Sequence, residues 1–427
     1  MQATKIAYLN EYTLKIFYNI LIFLSILLPT STLLGFNIKI ATSIFVIILF
    51  SLFVITTEKK LNLPSISIYF FSVLFLLIWS FVDFFKTSGA FEYTFDAFKN
   101  FNSVFLILFL SYYLCKSEII TFYSFVRVLV CGNFLFSLLK VMITLFLYLE
   151  IFTIYDIQSI LSPLFGDIFY GQPIYQGTTR FHFPNDSITP FLLFFVFMMG
   201  KSKLNYSTAF MVAYSVISYL SLFIAFSRFL IMSVILISIM CGVLKKKLSL
   251  LLIVLLASCA VLITEPAKEI YELRFLSGET NYGDSLKVEQ AKFLLDEASE
   301  NMIIGKGLGS YSPKIIRDDK LRYSYEVQWL SFAMQFGMLG LSILLIFSSL
   351  PILKILSYPV KKINMGILLT YLMWLLSGFT NPYLLSSMGG CIFSLFMLAS
   401  INSNKLKNYE KVPTVGKTVL RRDGVYP

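Results

Sequence analysis

Apolar runs of about twenty residues recur along almost the whole chain, separated by short polar stretches. Roughly twenty apolar residues is the length a helix needs to cross a bilayer. Twelve candidate spans fall at about 14–34, 38–57, 66–85, 99–115, 126–149, 181–199, 206–226, 228–243, 248–264, 327–350, 363–381 and 383–400. The fourth and eighth are short, and Pro184 and Pro190 make the outer end of the sixth irregular. Composition agrees. Of 427 residues, 57% are hydrophobic and 14% are charged, against about 25% charged in a soluble domain. No soluble domain of this size could hide so much apolar surface from water. A soluble enzyme, a disordered chain and a disulfide scaffold are excluded. The expected fold is an all-α polytopic membrane protein of about 12 transmembrane helices with a large outer loop. One integral membrane domain would cover 1–404, with outer loops at about 150–180 and 265–326, and a basic cytoplasmic tail would follow at 405–427.

The formal charge of +11 reads as topology rather than as a sign of nucleic acid. With the N-terminus inside, cytoplasmic turns hold Lys59, Lys60, Lys116, Lys201, Lys203, Lys245, Lys246, Lys247, Lys354, Lys361 and Lys362. The tail adds six more cations, whereas short outer loops hold only Lys39, Lys86, Lys99 and Arg180. This bias puts both termini in the cytoplasm. Cys115, Cys131, Cys241, Cys259 and Cys391 lie in or beside apolar runs, are odd in number and form no CxxC pair, so neither a disulfide framework nor a zinc site is expected. The first apolar run is too long for the core of a cleavable signal peptide.

The 265–326 loop is the one sizeable polar region. Within it, 284–301 reads as an amphipathic helix capped by Asp284 or Ser285, with Leu286, Ala291, Leu294, Leu295 and Ala298 as its apolar stripe. Gly305, Gly307 and Gly309 do not match the spacing of a phosphate loop or dinucleotide fingerprint, and a turn back towards the membrane is the better reading. His182 is the only histidine and there is no DxD triplet, so no metal site is expected. Any phosphate would have to be held by side-chain cations. Arg180, Arg228 and Arg274 stand at outer span junctions, where arginine is disfavoured by positive-inside bias. Each could be a simple interfacial anchor. Arginine also presents a planar fork of donors that suits phosphate oxygens. Lys287 begins the amphipathic helix. Glu326 sits where the outer loop enters the tenth span, as a proton acceptor, an arginine partner or a solvated acid favoured by the helix dipole. Lys140 lies inside the fifth span, facing a cavity or stretching outward, and Asp83 is expected in the interface.

Several segments, in order, resemble the Wzy-type O-antigen polymerase family, within the O-antigen ligase and polymerase superfamily. They are RFHFPNDSITPF, SRFLIMS, SLKVEQAKFLLDEASENMIIGKGLGSY, YSYEVQWLSFAMQFGMLGL and GFTNPYLLSSMGG, which together cover roughly residues 175–395. The resemblance implies a GT-C-like glycosyltransferase of the bacterial inner membrane with a periplasmic active site. It implies transfer of a growing glycan from undecaprenyl diphosphate to a new lipid-linked repeat unit, without metal or other cofactor. Arg180, Arg228 and Arg274 match family arginines assigned to the diphosphate, and Glu326 matches an acidic position. His182, Asn185, Lys287, Gln290 and Tyr325 are further substrate-binding candidates within the matching segments. Many relatives have arginine at the position of Lys287. The ligase branch typically has histidine near the position of Glu326, so polymerase is favoured over ligase. Lipid-linked repeat units and membrane lipid are the expected partners, with a chain-length regulator protein as a further candidate and no nucleic acid. A lipid-linked oligosaccharide flippase is the competing class. It would show repeated halves and polar groups at mid-membrane, and only Lys140 points that way.

Overall fold

A computed structural model describes residues 2–28, 32–33, 35–57, 63–86, 91–165, 172–175, 178–245, 279–319, 321–359 and 362–407. Thirteen α-helices account for most of them: α1 (Gln2–Leu27), α2 (Ile38–Thr57), α3 (Leu63–Lys86), α4 (Phe91–Lys116), α5 (Phe122–Tyr148), α6 (Ile154–Phe165), α7 (Thr189–Leu204), α8 (Thr208–Ile224), α9 (Arg228–Lys245), α10 (Glu279–Glu300), α11 (Gln328–Leu356), α12 (Lys362–Ser377) and α13 (Ser387–Lys407). Two small antiparallel hairpins pair β1 (Thr32–Leu33) with β2 (Phe36–Asn37) and β3 (Gln172–Tyr175) with β4 (Thr178–Arg180).

Among the described residues, seven helical segments are long and apolar enough to cross a membrane. They are α2, α3, α4, α5, α9, α11 and Pro184–Leu204, in which a 3-10 turn runs into α7. Shorter apolar helices are α8, α12 and most of α13. The architecture is that of a helical membrane protein. In lipid, backbone groups must be satisfied within the segment, which a helix does at every residue. Apolar side chains such as Ile55, Phe70, Phe71 and Ile346 stay exposed on the outer surface, where lipid tails rather than water would meet them. Inside, Phe191 meets Trp374 and Phe396 edge to face, and Phe195 and Tyr371 pack on Phe396 at tilted angles.

Helix ends follow local chemistry. Thr121 and Ser124 form a reciprocal capping box at the start of α5, and Ser207 accepts the Phe210 N–H at the start of α8. Asn205 takes the left-handed conformation that stops α7. The expected irregularity at Pro184 is a 3-10 turn over Pro184–Ile188. The α4 helix is longer than the 99–115 expected, and α6 with the β3–β4 hairpin lies in 150–180, read above as plain loop. The expected span 248–264 and most of the tail, 408–427, lie outside the described residues.

Polar contacts gather alternate helix ends at one end of the bundle. The Lys39 ammonium at the start of α2 donates to the Leu28 carbonyl just after α1 (3.0 Å) and to Ser387 at the start of α13 (3.4 Å). Asp83, expected in the interface, is instead buried near the end of α3 and accepts from Thr94 of α4. Lys140 is also corrected. It does not stretch outward: buried on α5, it pairs with buried Asp186 at 2.7 Å and donates to the Ser221 carbonyl of α8 at 2.9 Å. A charge inside an apolar bundle needs such a partner.

The glycine-rich stretch threads into this same end. The Leu308 N–H bonds to the Trp79 carbonyl, Lys306 N–H to Met334 and Gly307 N–H to Gln335, each at 2.9 Å. Gly305, Gly307 and Gly309 all have positive φ. A Cβ on Gly307 would overlap the Asp83 backbone, and one on Gly305 the backbone of Gln335 and Gly337. Gly337 also has positive φ and breaks α11 where the stretch passes. The turn expected here is thus a backbone-to-backbone joint between α3, α4 and α11.

Candidate functional site

The α10 helix is the element on which the site is assembled. It begins at Glu279, so Asp284 lies inside it and is not its cap. Its inner face holds Gln290, Leu294 and Glu297, all buried, with Ala291 and Ala298 packed on Tyr325, Val327 and Met334 at the entry to α11. The expected stripe holds at Ala291, Leu294 and Ala298 and fails at Leu295, which is 52% exposed. Two polar side chains turn inward beside this apolar contact: Gln290 accepts the Glu326 N–H at 3.0 Å, and Glu297 accepts from Ser312 at 3.1 Å.

Five charged side chains run in alternating sign from α9 across α10 to the loop before α11. At the first residue of α9, the Arg228 fork grips Asp284 with two bonds of 2.6 and 3.0 Å. One turn along α10, Lys287 faces Glu326 at 3.5 Å. On the other side of Glu326, Arg317 approaches at 3.6 Å. Three cations against two carboxylates leave one net positive charge. All five are part-exposed, with side chains 29–51% accessible. Arg228 and Asp284 make the strongest link: the arginine, and Lys287 beyond it, hold the Asp284 carboxyl below the usual carboxylate range. Such a chain can exchange its internal partners for an anionic ligand and offers a carboxylate beside it.

The other expected residues are placed as follows. Arg180 ends β4, opposite Gln172 in the hairpin, and β4 packs on α5. Arg274 lies outside the described residues. Tyr325 is buried: its hydroxyl accepts the Ser312 N–H at 2.8 Å and donates to the Ile315 carbonyl at 3.2 Å, and burial pushes it up to about 12. It fixes the loop that carries Arg317 and does not face the charged chain. Asn185 is buried as well, and its amide donates to the Ile26 and Leu28 carbonyls (2.6 and 3.0 Å), which ties the 3-10 turn to the end of α1. His182 meets the Tyr383 hydroxyl at 2.6 Å through Nε2, and the next residue, Leu384, donates its N–H to Gln328 at the start of α11.

Glu326, Lys287, Gln290 and, through Asp284, Arg228 are therefore brought together. Asp284 and Arg317 belong to the same group and were not singled out as site residues in the sequence. Asp284 looked like a cap. Arg317 sits in a loop run, RDDK, that carries no periodic signal. Compared with known proteins, the sequence matches no family model and no curated protein.

Proposed function

We propose that the chain is an inverting membrane glycosyltransferase of the O-antigen polymerase kind, with about twelve spans and a GT-C-like arrangement. Its charged end faces the periplasm. Its donor is a glycan on undecaprenyl diphosphate and its acceptor is a new lipid-linked repeat unit. The observation that carries this reading is the alternating chain Arg228–Asp284–Lys287–Glu326–Arg317, beside apolar spans that would hold a lipid carrier. The ordered resemblance over 175–395 supports it.

In the reaction, the acceptor hydroxyl oxygen attacks the anomeric carbon while the bond from that carbon to phosphate oxygen breaks. The bonding pair leaves with the undecaprenyl diphosphate. Arg228, Lys287 and Arg317 meet the charge that grows there, and the resemblance implies the same role for Arg180 and Arg274. Fixed cations stabilise such charge more than water does, because they need no reorganisation during reaction. As Lys287 and Arg317 turn to the phosphates, Glu326 is freed to take the hydroxyl proton. Attack opposite the leaving group inverts the anomeric centre.

The test is purified protein in detergent with two lipid-linked repeat units. A polymerase yields a dimer of repeats still on undecaprenyl diphosphate, whereas a ligase requires lipid A core as acceptor. A transporter leaves both substrates covalently unchanged, and that result would refute the reading. Lys140, the charge that favoured a transporter, is spent on Asp186 and Ser221. In cells, Arg228→Ala and Arg274→Ala should abolish long-chain polymer while the protein still inserts.

A further inference from the structure

A cavity lies where the end of α3, the start of α4, the end of α10 and the glycine-rich joint meet. It has a volume of about 550 Å³, within the range of roughly 300–1,000 Å³ usual for small-molecule sites. Its distance from the charged chain follows from helix geometry. Glu300 on its rim is thirteen residues beyond Lys287 on α10, about 20 Å at 1.5 Å per residue.

The lining decides what would fit. Lys86 and Lys306 are its cations, and Asp83 and Glu300 are its acids, so the ionised groups cancel. Lys306 is in addition paired with Glu297. With Lys306 already met by Glu297, the cavity has no surplus positive charge to select a phosphate or another simple anion. What it offers is a dense mixture of donors and acceptors beside two aromatic rings. Lys86 donates to Asn301 Oδ1 at 3.0 Å and to the Gly305 carbonyl at 2.9 Å, which leaves one of its three hydrogens for a ligand. The Tyr93 and Tyr311 rings meet edge to face at 5.6 Å. Arg322 stacks on both, 5.7 and 5.5 Å from their centroids, and holds them in place. Gly309, packed closely on the Thr94 backbone, and Ser310 complete the lining. Ring faces carry negative potential that attracts the weakly positive C–H faces of a sugar, and hydroxyls satisfy mixed polar groups of either kind.

We infer that this cavity is a carbohydrate subsite, which holds sugars of the substrate glycan at a distance from the bond that reacts. The inference rests on the proposed function for its substrate class. Binding at such a remote subsite would position the chain for transfer.

Binding is measured by saturation-transfer NMR and thermophoresis on the full chain in detergent. The probe is the host's surface glycan, freed from lipid by mild acid and size-fractionated. Glu300 is exposed on the rim, so Glu300→Trp fills the mouth without disturbing the core. Tyr311→Ala removes a ring and serves as the second variant, with thermal unfolding measured for both. Wild type and Glu326→Gln should bind the glycan equally. Glu300→Trp and Tyr311→Ala should weaken binding at least tenfold. Undiminished binding by folded Glu300→Trp overturns the inference, as does displacement of the glycan by inorganic phosphate. If wild type elongates lipid-linked repeats but binds no free glycan, the subsite is refuted and the glycosyltransferase reading stands. If glycan binds and Glu300→Trp blocks it, but no elongation occurs, the subsite stands and the reaction is wrong.

Discussion

The Asp284 carboxylate competes for the guanidinium that a diphosphate would need. Both partners are substantially exposed, so their pairing contributes no more than about 1 kcal/mol. Asp284→Asn should therefore leave stability almost unchanged while tightening inorganic pyrophosphate binding roughly two- to fivefold, the equivalent of that pairing energy. Calorimetric titration checks this. The pH dependence has a definite sign. Because Arg228 holds the carboxyl below its ordinary value, the pair is fully formed above that value and is lost only as pH falls through the lowered one. The difference between wild type and Asp284→Asn should stay flat between about pH 5 and 8 and vanish in acid. Arg228, Lys287 and Glu326 were legible in the sequence because a charge beside an apolar span has a cost and so invites a reason. Arg317 was not, because a charge among loop charges carries no such signal.

The glycine-rich joint and the inner face of α10 show what periodicity omits at the scale of elements. The sequence marked a turn at Gly305, Gly307 and Gly309, but its partners are Trp79, Met334 and Gln335, far away along the chain. Gly307→Ala should misfold the joint, because the added methyl meets Asp83 backbone rather than a movable side chain and φ is positive there. Loss of monodisperse protein on size exclusion is the expected result. The contact between α5 and the 3-10 turn before α7 makes a second prediction. Lys140→Met leaves Asp186 buried without its cation, a change that costs about 3–5 kcal/mol in comparable buried pairs. Lys140→Met with Asp186→Asn should recover most of that loss in thermal unfolding. Most described helix positions were readable from apolar runs of the right length, although α1 covers Gln2–Leu27 where 14–34 was expected. The inward turn of Gln290 and Glu297 was not, since their partners, the Glu326 N–H and Ser312, lie elsewhere along the chain.

Across the whole molecule, named polar contacts tie the end of α1 to the start of α2 and to the 3-10 turn before α7, the start of α2 to that of α13, the end of α3 to the start of α4, and α5 to the end of α8. On the proposed topology, in which lysine-rich turns face inward, the opposite end is cytoplasmic. A Glu300→Cys chain with its five native cysteines replaced should react with an impermeant maleimide from outside, and a fluorescent reporter fused to the C-terminus should light up within. The helical membrane architecture was legible because lipid leaves the backbone few alternatives. The charged chain was only half legible, since its members come from α9, α10 and a loop that only the fold unites. Its central role is tested most directly by the rate at which purified Glu326→Gln joins two lipid-linked repeat units. The rate should fall by about 10²–10⁴-fold with thermal unfolding unchanged, whereas transfer at the wild-type rate would contradict the assignment of Glu326 as the base.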